Sequence, residues 1–136
     1  MTTIHYLQNA PVFNRGLSKR IFSKLSGEKI YDFFRPLAYD IFFDRLVYYA
    51  SIMQLSFNQL RVKRLKTRWG SCSSLKNINL NIQLIHHPLS LIDYVIVHEL
   101  AHLVHMNHSK RFWKLVAQYY PEYKSAHAQL AKISLS

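Results

Sequence analysis

Ser90-Leu91-Ile92-Asp93-Tyr94-Val95-Ile96-Val97-His98-Glu99-Leu100-Ala101-His102 is the stretch on which the fold turns. Its apolar residues run nearly all round a helical wheel, the mark of a helix buried on every side. Two histidines and a glutamate sit inside that apolar run. Residues four apart share one helix face, about 6 Å apart along the axis. His98 and His102 can therefore aim two imidazoles at one ion, with Glu99 at the edge of the same face. This is the H-E-x-x-H pattern: two histidines hold zinc and the glutamate handles the proton of a zinc-bound water. An unsatisfied polar group in a core costs about 1–3 kcal/mol, so three of them on one buried helix need a reason. Pro88 suits the first turn. Ser90 and Asp93 have capping-box spacing, with aspartate in place of Glu or Gln.

A zinc site needs a third protein ligand. His105 lies on the His98 face, but in a straight helix it is about 10 Å further along the axis. Zinc–nitrogen bonds of about 2.1 Å cannot span that. His98, His102 and His108 instead have the spacing of H-E-x-x-H-x-x-G-x-x-H, where glycine turns the chain back. Here His105 occupies the glycine position. Asn107, tolerant of a left-handed backbone, is the expected turning residue. Ser109 is the expected N-cap of the next helix. The expected ligands of Zn2+ are thus His98, His102 and His108, with Glu99 as general base.

Upstream, Ile78, Leu80, Ile82 and Leu84 alternate with Asn77, Asn79, Asn81 and Gln83. That period predicts a strand over 77–84, aliphatic on one face and all amide on the other. The amide face could bond an extended peptide if it lies at a sheet edge, or simply meet water. Leu60 and Val62 alternate with Arg61 and Lys63, which predicts a strand over 60–67 with a basic outer face and a bulge near Arg64. Residues 69–74 read as a loop. His86 and His87 read as the solvent-facing end of the second strand. Pro36 to about Gln54 reads as a core helix with proline in its first turn. Its apolar positions are Ala38, Ile41, Phe42, Tyr49, Ile52 and Met53. A helix after Ser109 ends before Pro121. Tyr123, Ala126, Leu130 and Ile133 mark a last short one. Within residues 1–35, Thr3–Phe13 could hold a strand and Leu17–Leu25 a helical turn or two, stopped at Gly27. The expectation is one α+β domain over 1–136, with a small antiparallel sheet packed on helices that include the H-E-x-x-H helix.

The net charge is +11, and no acidic residue occurs between Asp44 and Asp93. Arg45, Arg61, Lys63, Arg64, Lys66, Arg68 and Lys76 fall in that gap. The 45–92 segment could face nucleic acid, an acidic protein or a membrane surface, or be a solvated face. Cys72 is the only cysteine, which excludes an intrachain disulfide and gives no sign of an oxidising compartment. No stretch reaches the roughly 18 apolar residues of a membrane span. The expectation is a soluble, cytoplasmic protein. The lone thiol also weighs against a purely structural zinc, whose sites take four ligands rich in cysteine; only Cys72 could be a thiolate fourth.

Arg68-Trp69-Gly70-Ser71-Cys72, Ile78-Asn79-Leu80-Asn81, Tyr94 to Leu103, and Asn107-His108-Ser109 with Phe112-Trp113 occur in that order over about 58–124. Together they resemble the YgjP-like metallopeptidase family, related to the SprT-like zinc peptidases. The resemblance implies a zincin-type domain. It also implies zinc on His98, His102 and His108, Glu99 as catalytic base, and a peptide or protein substrate. Arg68, His105, Tyr123 and His127 are candidates to steady the oxyanion. The rival reading is a basic nucleic-acid-binding module with a structural or inactive zinc site.

Overall fold

The computed structural model describes residues 27–135. The strand expected in Thr3–Phe13 and the turns expected over Leu17–Leu25 lie outside the described residues. The chain runs α1 (Gly27–Met53), β1 (Gln59–Lys63), β2 (Gly70–Cys72), β3 (Asn77–Asn81), a 3₁₀ helix (Ile82–His86), α2 (Leu89–Ala101), α3 (Lys110–Tyr119) and α4 (Tyr123–Ala131). The α+β class is as expected.

The expected buried helix is α2, and the molecule is built around it. Leu91 to Val97, Leu100 and Ala101 are all buried, and α1, α3, α4, β2 and β3 pack against it. Its start differs from the capping-box reading. Pro88 is the N-cap and no side chain caps the helix. Asp93 is drawn away by a stronger partner. Its two carboxylate oxygens accept from Nε and Nη2 of Arg45 at 2.8 Å each, tying α1 to α2. The Ser90 carbonyl accepts from the Tyr120 hydroxyl at 2.8 Å.

Helix α1 begins nine residues before Pro36, which therefore sits in its interior rather than its first turn. Proline there removes one ladder donor, a cost that burial of Phe34, Ala38, Phe42, Leu46, Tyr49 and Met53 offsets. Ile52, expected inside, is exposed. At the C-terminus Leu55 N–H donates to Ala50 O at 2.9 Å and Gln54 N–H to Ser51 O at 3.2 Å, with Gln54 left-handed at φ 56°. That is a Schellman ending, made without glycine.

The sheet is mixed rather than purely antiparallel. Its order is β1-β3-β2, with β1 parallel and β2 antiparallel to β3. Two chain reversals separate β1 from β3, so they run the same way. β2 arises where a loop was expected: Gly70–Cys72 pair with Ile78–Leu80 across a tight turn in which Lys76 is left-handed at φ 64°. The predicted strand over 77–84 stops at Asn81, whose Oδ1 accepts from Gln83 N–H at 3.0 Å and starts the 3₁₀ helix. A short polar side chain that bonds its own backbone overrides the alternation.

The amide face is mostly buried rather than set at an edge, and the half-buried Asn79 donates from Nδ2 to Ser71 Oγ at 3.0 Å. β3 is the central strand, and Asn77, Asn81 and Gln83 are buried. Asn81 Nδ2 donates to the Leu65 and Arg68 carbonyls at 2.9 and 3.0 Å, holding the crossing loop against the sheet. His86 and His87 do not simply face solvent. Their rings pack edge-on against Tyr31 and Trp69, and burial lowers both pKa values.

Candidate metal centre

His98 and Glu99 lie in the last turns of α2, and His102 is its C-cap. Beyond it the chain turns without Asn107: the left-handed non-glycine residues among those described are Gln54 and Lys76. Instead the helix end tightens. The N–H groups of His102, Leu103 and Val104 bond carbonyls three residues back, at 3.0–3.1 Å. A last turn of 3₁₀ type turns the chain at no left-handed cost. Ser109 then caps α3, its Oγ accepting from Phe112 N–H at 3.3 Å. The new helix sets aromatic rings against the histidines. His102 stacks on Phe112 with centroids 4.5 Å apart, and His108 on Trp113 at 5.8 Å.

One ring nitrogen from each of His98, His102 and His108 lies within 4.8 Å of the others. The Nε2 atoms of His98 and His108 are 3.2 Å apart. Ligands around a tetrahedral zinc stand about 3.4 Å from one another, so the donor set fits the ion. The opposite nitrogens are engaged. His102 Nδ1 meets the His105 carbonyl at 3.1 Å. A carbonyl can only accept, so the proton sits on Nδ1 and Nε2 is bare. His98 Nδ1 meets the Tyr94 hydroxyl at 3.3 Å. Burial first, then the neighbouring imidazoles, pushes His98 down to about 3; burial likewise lowers His102. Neutral imidazoles are the form that binds metal.

Glu99 is buried beside them. Burial pushes its carboxyl up to about 8, and the Arg68 guanidinium works in the opposite sense. Two cavities, of about 290 and 390 Å³, meet here, and Arg68, Gly70, His98 and Glu99 line both. The smaller adds Tyr94 and His127, the larger His102, His108 and Cys72.

Of the four oxyanion candidates, Arg68 and His127 line the cavities. His105 contributes its carbonyl to His102, and the Tyr123 ring stacks on Trp113 at 5.3 Å. Cys72 is outside the three-histidine group, and burial with the Glu99 charge pushes its thiol up to about 11. Tyr94 was not singled out from sequence. The signal was present, because Tyr94 precedes His98 by the same four residues that relate His98 to His102.

A short sheet set beside an H-E-x-x-H helix with three convergent imidazoles is the plan of the zincin-like metallopeptidases. Residues 16–133 match the profile described as YgjP-like, metallopeptidase domain, and the chain belongs to that family. The match reaches beyond the 58–124 stretch that carries the quoted motifs. Among solved structures, the metallopeptidase zymogen abylysin of Pyrococcus abyssi superposes with a TM-score of 0.60 at 25% identity, covering 65% of this chain and 90% of that one. The zymogen jannalysin of Methanocaldococcus jannaschii gives 0.59 at 22% identity, covering 67% and 94%. No curated protein matches significantly. Among the described residues no helix is long and apolar enough to cross a membrane.

Proposed function

We propose that this chain is a zinc-dependent peptidase in which His98, His102 and His108 hold the ion and Glu99 is the general base. The observation that carries the reading is the convergence of three imidazoles within 4.8 Å beside a buried carboxyl. Zinc bound there supplies a Lewis acid that makes water a nucleophile at neutral pH and polarises the scissile carbonyl. Glu99 takes the proton from the attacking water and returns it to the leaving amine. Arg68 favours the charged form of Glu99, the form that accepts the proton. β2, an outer strand of the sheet beside the histidines, is the edge on which an extended peptide would lie, since β3 is covered on both sides. The single cysteine suits a reducing cytoplasm. Glu99→Gln should keep zinc at one per chain by metal analysis and abolish cleavage of an unstructured peptide. Retained turnover would sink the mechanism.

A second reading adds nucleic acid as a partner. Arg61, Lys63, Lys66 and Arg68 are exposed on β1 and on the loop that leads into the site. If they neutralise phosphates, the logarithm of the affinity for single-stranded DNA should fall with the logarithm of salt concentration, with a slope of about −0.7 per contact. A flat salt response in a binding titration would reduce these residues to a solvated face. The reading in which zinc is only structural lacks a fourth protein ligand among the described residues, since Cys72 is not in the cluster.

A further inference from the structure

Tyr94 has one hydroxyl proton and two imidazole neighbours. Its oxygen lies 3.3 Å from His98 Nδ1 and 3.0 Å from His127 Nδ1, and the residue is buried. Both imidazoles could donate to the oxygen at once, but that would leave the hydroxyl proton of a buried tyrosine without an acceptor among the described residues, so two arrangements of protons satisfy this chain. In the first, the hydroxyl donates to His98 and accepts from His127. His98, being neutral, then carries its single ring proton on Nε2. That is the nitrogen 3.2 Å from His108 Nε2, at the centre of the cluster. A protonated ring nitrogen has no lone pair to give a cation. In the second, His98 Nδ1–H donates to Tyr94 and the hydroxyl donates to His127. Only the second leaves His98 Nε2 bare, so an ion on His98 selects it.

The consequence passes one residue further. With Nδ1 of His127 accepting, the ring proton of His127 must sit on Nε2. His127 lines the cavity of about 290 Å³ together with His98, Glu99 and Arg68. Resting on the peptidase reading above, we propose that in the zinc-loaded protein Tyr94 fixes His127 as the Nε2–H tautomer. That N–H then donates a hydrogen bond to the scissile carbonyl oxygen as negative charge builds on it. Tyr94 is the positioning residue and His127 the catalytic one. His127 gives up no proton; its hydrogen bond strengthens as the oxygen gains charge. The proton that moves is the one Glu99 carries from water to the leaving amine, which balances the hydrolysis.

The test uses the full chain loaded with zinc. Nitrogen-15 NMR of the ring nitrogens should show His127 protonated at Nε2 and bare at Nδ1, and Tyr94→Phe should remove that preference. A proton on Nδ1 of His127 in the zinc-loaded wild type overturns the proposal whatever the activity. With a quenched fluorescent peptide library as substrate, His127→Ala should lower kcat by about 10²–10³-fold with KM and zinc content unchanged. His127→Gln, whose amide also donates, should recover part of the loss. Tyr94→Phe should weaken zinc binding by about 10–100-fold. A His127→Ala enzyme within about threefold of wild type, alongside a dead Glu99→Gln enzyme, refutes the proposal while sparing the peptidase reading. If the wild type cleaves nothing, or Glu99→Gln still turns over, the peptidase reading fails and takes the role of His127 in catalysis with it.

Discussion

A methyl group on residue 70 would lie 3.0 Å from Glu99 Cγ and 3.1 Å from its Oε2, with the Asn79 carbonyl oxygen 3.0 Å away. The Asn79 oxygen belongs to the backbone of the central strand and cannot retreat, so the Glu99 side chain must. Gly70 is therefore the residue that lets the base approach β2. Gly70→Ala should keep zinc, as metal analysis would show, and lower peptidase turnover by about 10²-fold through a displaced carboxylate. Full turnover in that variant would mean the carboxylate has slack. At this scale the sequence was legible wherever helix spacing set the geometry. His98 and His102 share a face because they are four apart, and His108 follows by count. The close approach of Gly70 to Glu99 was not legible, because it joins residues distant in the chain. Neither was the turn at residues 102–109, because a tightened helix end leaves no left-handed residue such as asparagine to mark it.

Arg45 and Asp93 join the two longest helices among the described residues. Asp93 has 11% of its side chain exposed and Arg45 31%, and both carboxylate oxygens are engaged. Arg45→Ala leaves the Asp93 carboxylate between the helices without its cation. It should cost about 2–4 kcal/mol, below the value for a fully buried pair because Arg45 keeps some contact with water. Urea unfolding measures it, and a loss under about 0.5 kcal/mol would rank the bridge with ordinary surface pairs. Asp93 had read as a helix cap because local spacing was all that could be seen. The guanidinium that takes it comes from another helix. The strands tell a similar story. The alternation of Ile78 and Leu80 was legible, but the parallel partner of β3 and the pairing of Gly70–Cys72 were not. Three residues with a glycine carry no period, and a register exists only once two strands meet.

For the whole molecule, zinc and protons should act on stability together. Zinc at a hundred times its dissociation constant should stabilise the wild type by about 2.7 kcal/mol in thermal scans, and His108→Ala should lose most of that gain. Without metal, burial lowers the imidazoles of His86, His87, His98 and His102 and raises Glu99 to about 8. Below about pH 6.5 the unfolded chain takes up protons on these histidines that the fold refuses, so stability falls as pH falls. Glu99 acts the other way there, one carboxyl against four imidazoles. Above about pH 7 the unfolded histidines have lost most of their protons. The folded chain then keeps a proton on Glu99 that the unfolded chain has lost, so stability falls as pH rises through 8, by under about 1 kcal/mol. The melting temperature of the protein in chelator should thus peak near about pH 7. A steady rise from about pH 7 to 8.5 would contradict a buried, protonated Glu99 in the metal-free protein.

What the sequence determined alone is whatever repeats with a helix or strand period: the buried α2, the face it shares among His98, Glu99 and His102, and the aliphatic side of β3. Those follow from backbone geometry, which acts over a few residues. What only the tertiary structure decided is every partnership across the chain. Arg45 takes Asp93 from its expected cap, Asn81 pins the loop that carries Arg68, and Tyr94 bridges His98 to His127. Those depend on which side chains packing brings within hydrogen-bond reach, and no local period encodes that.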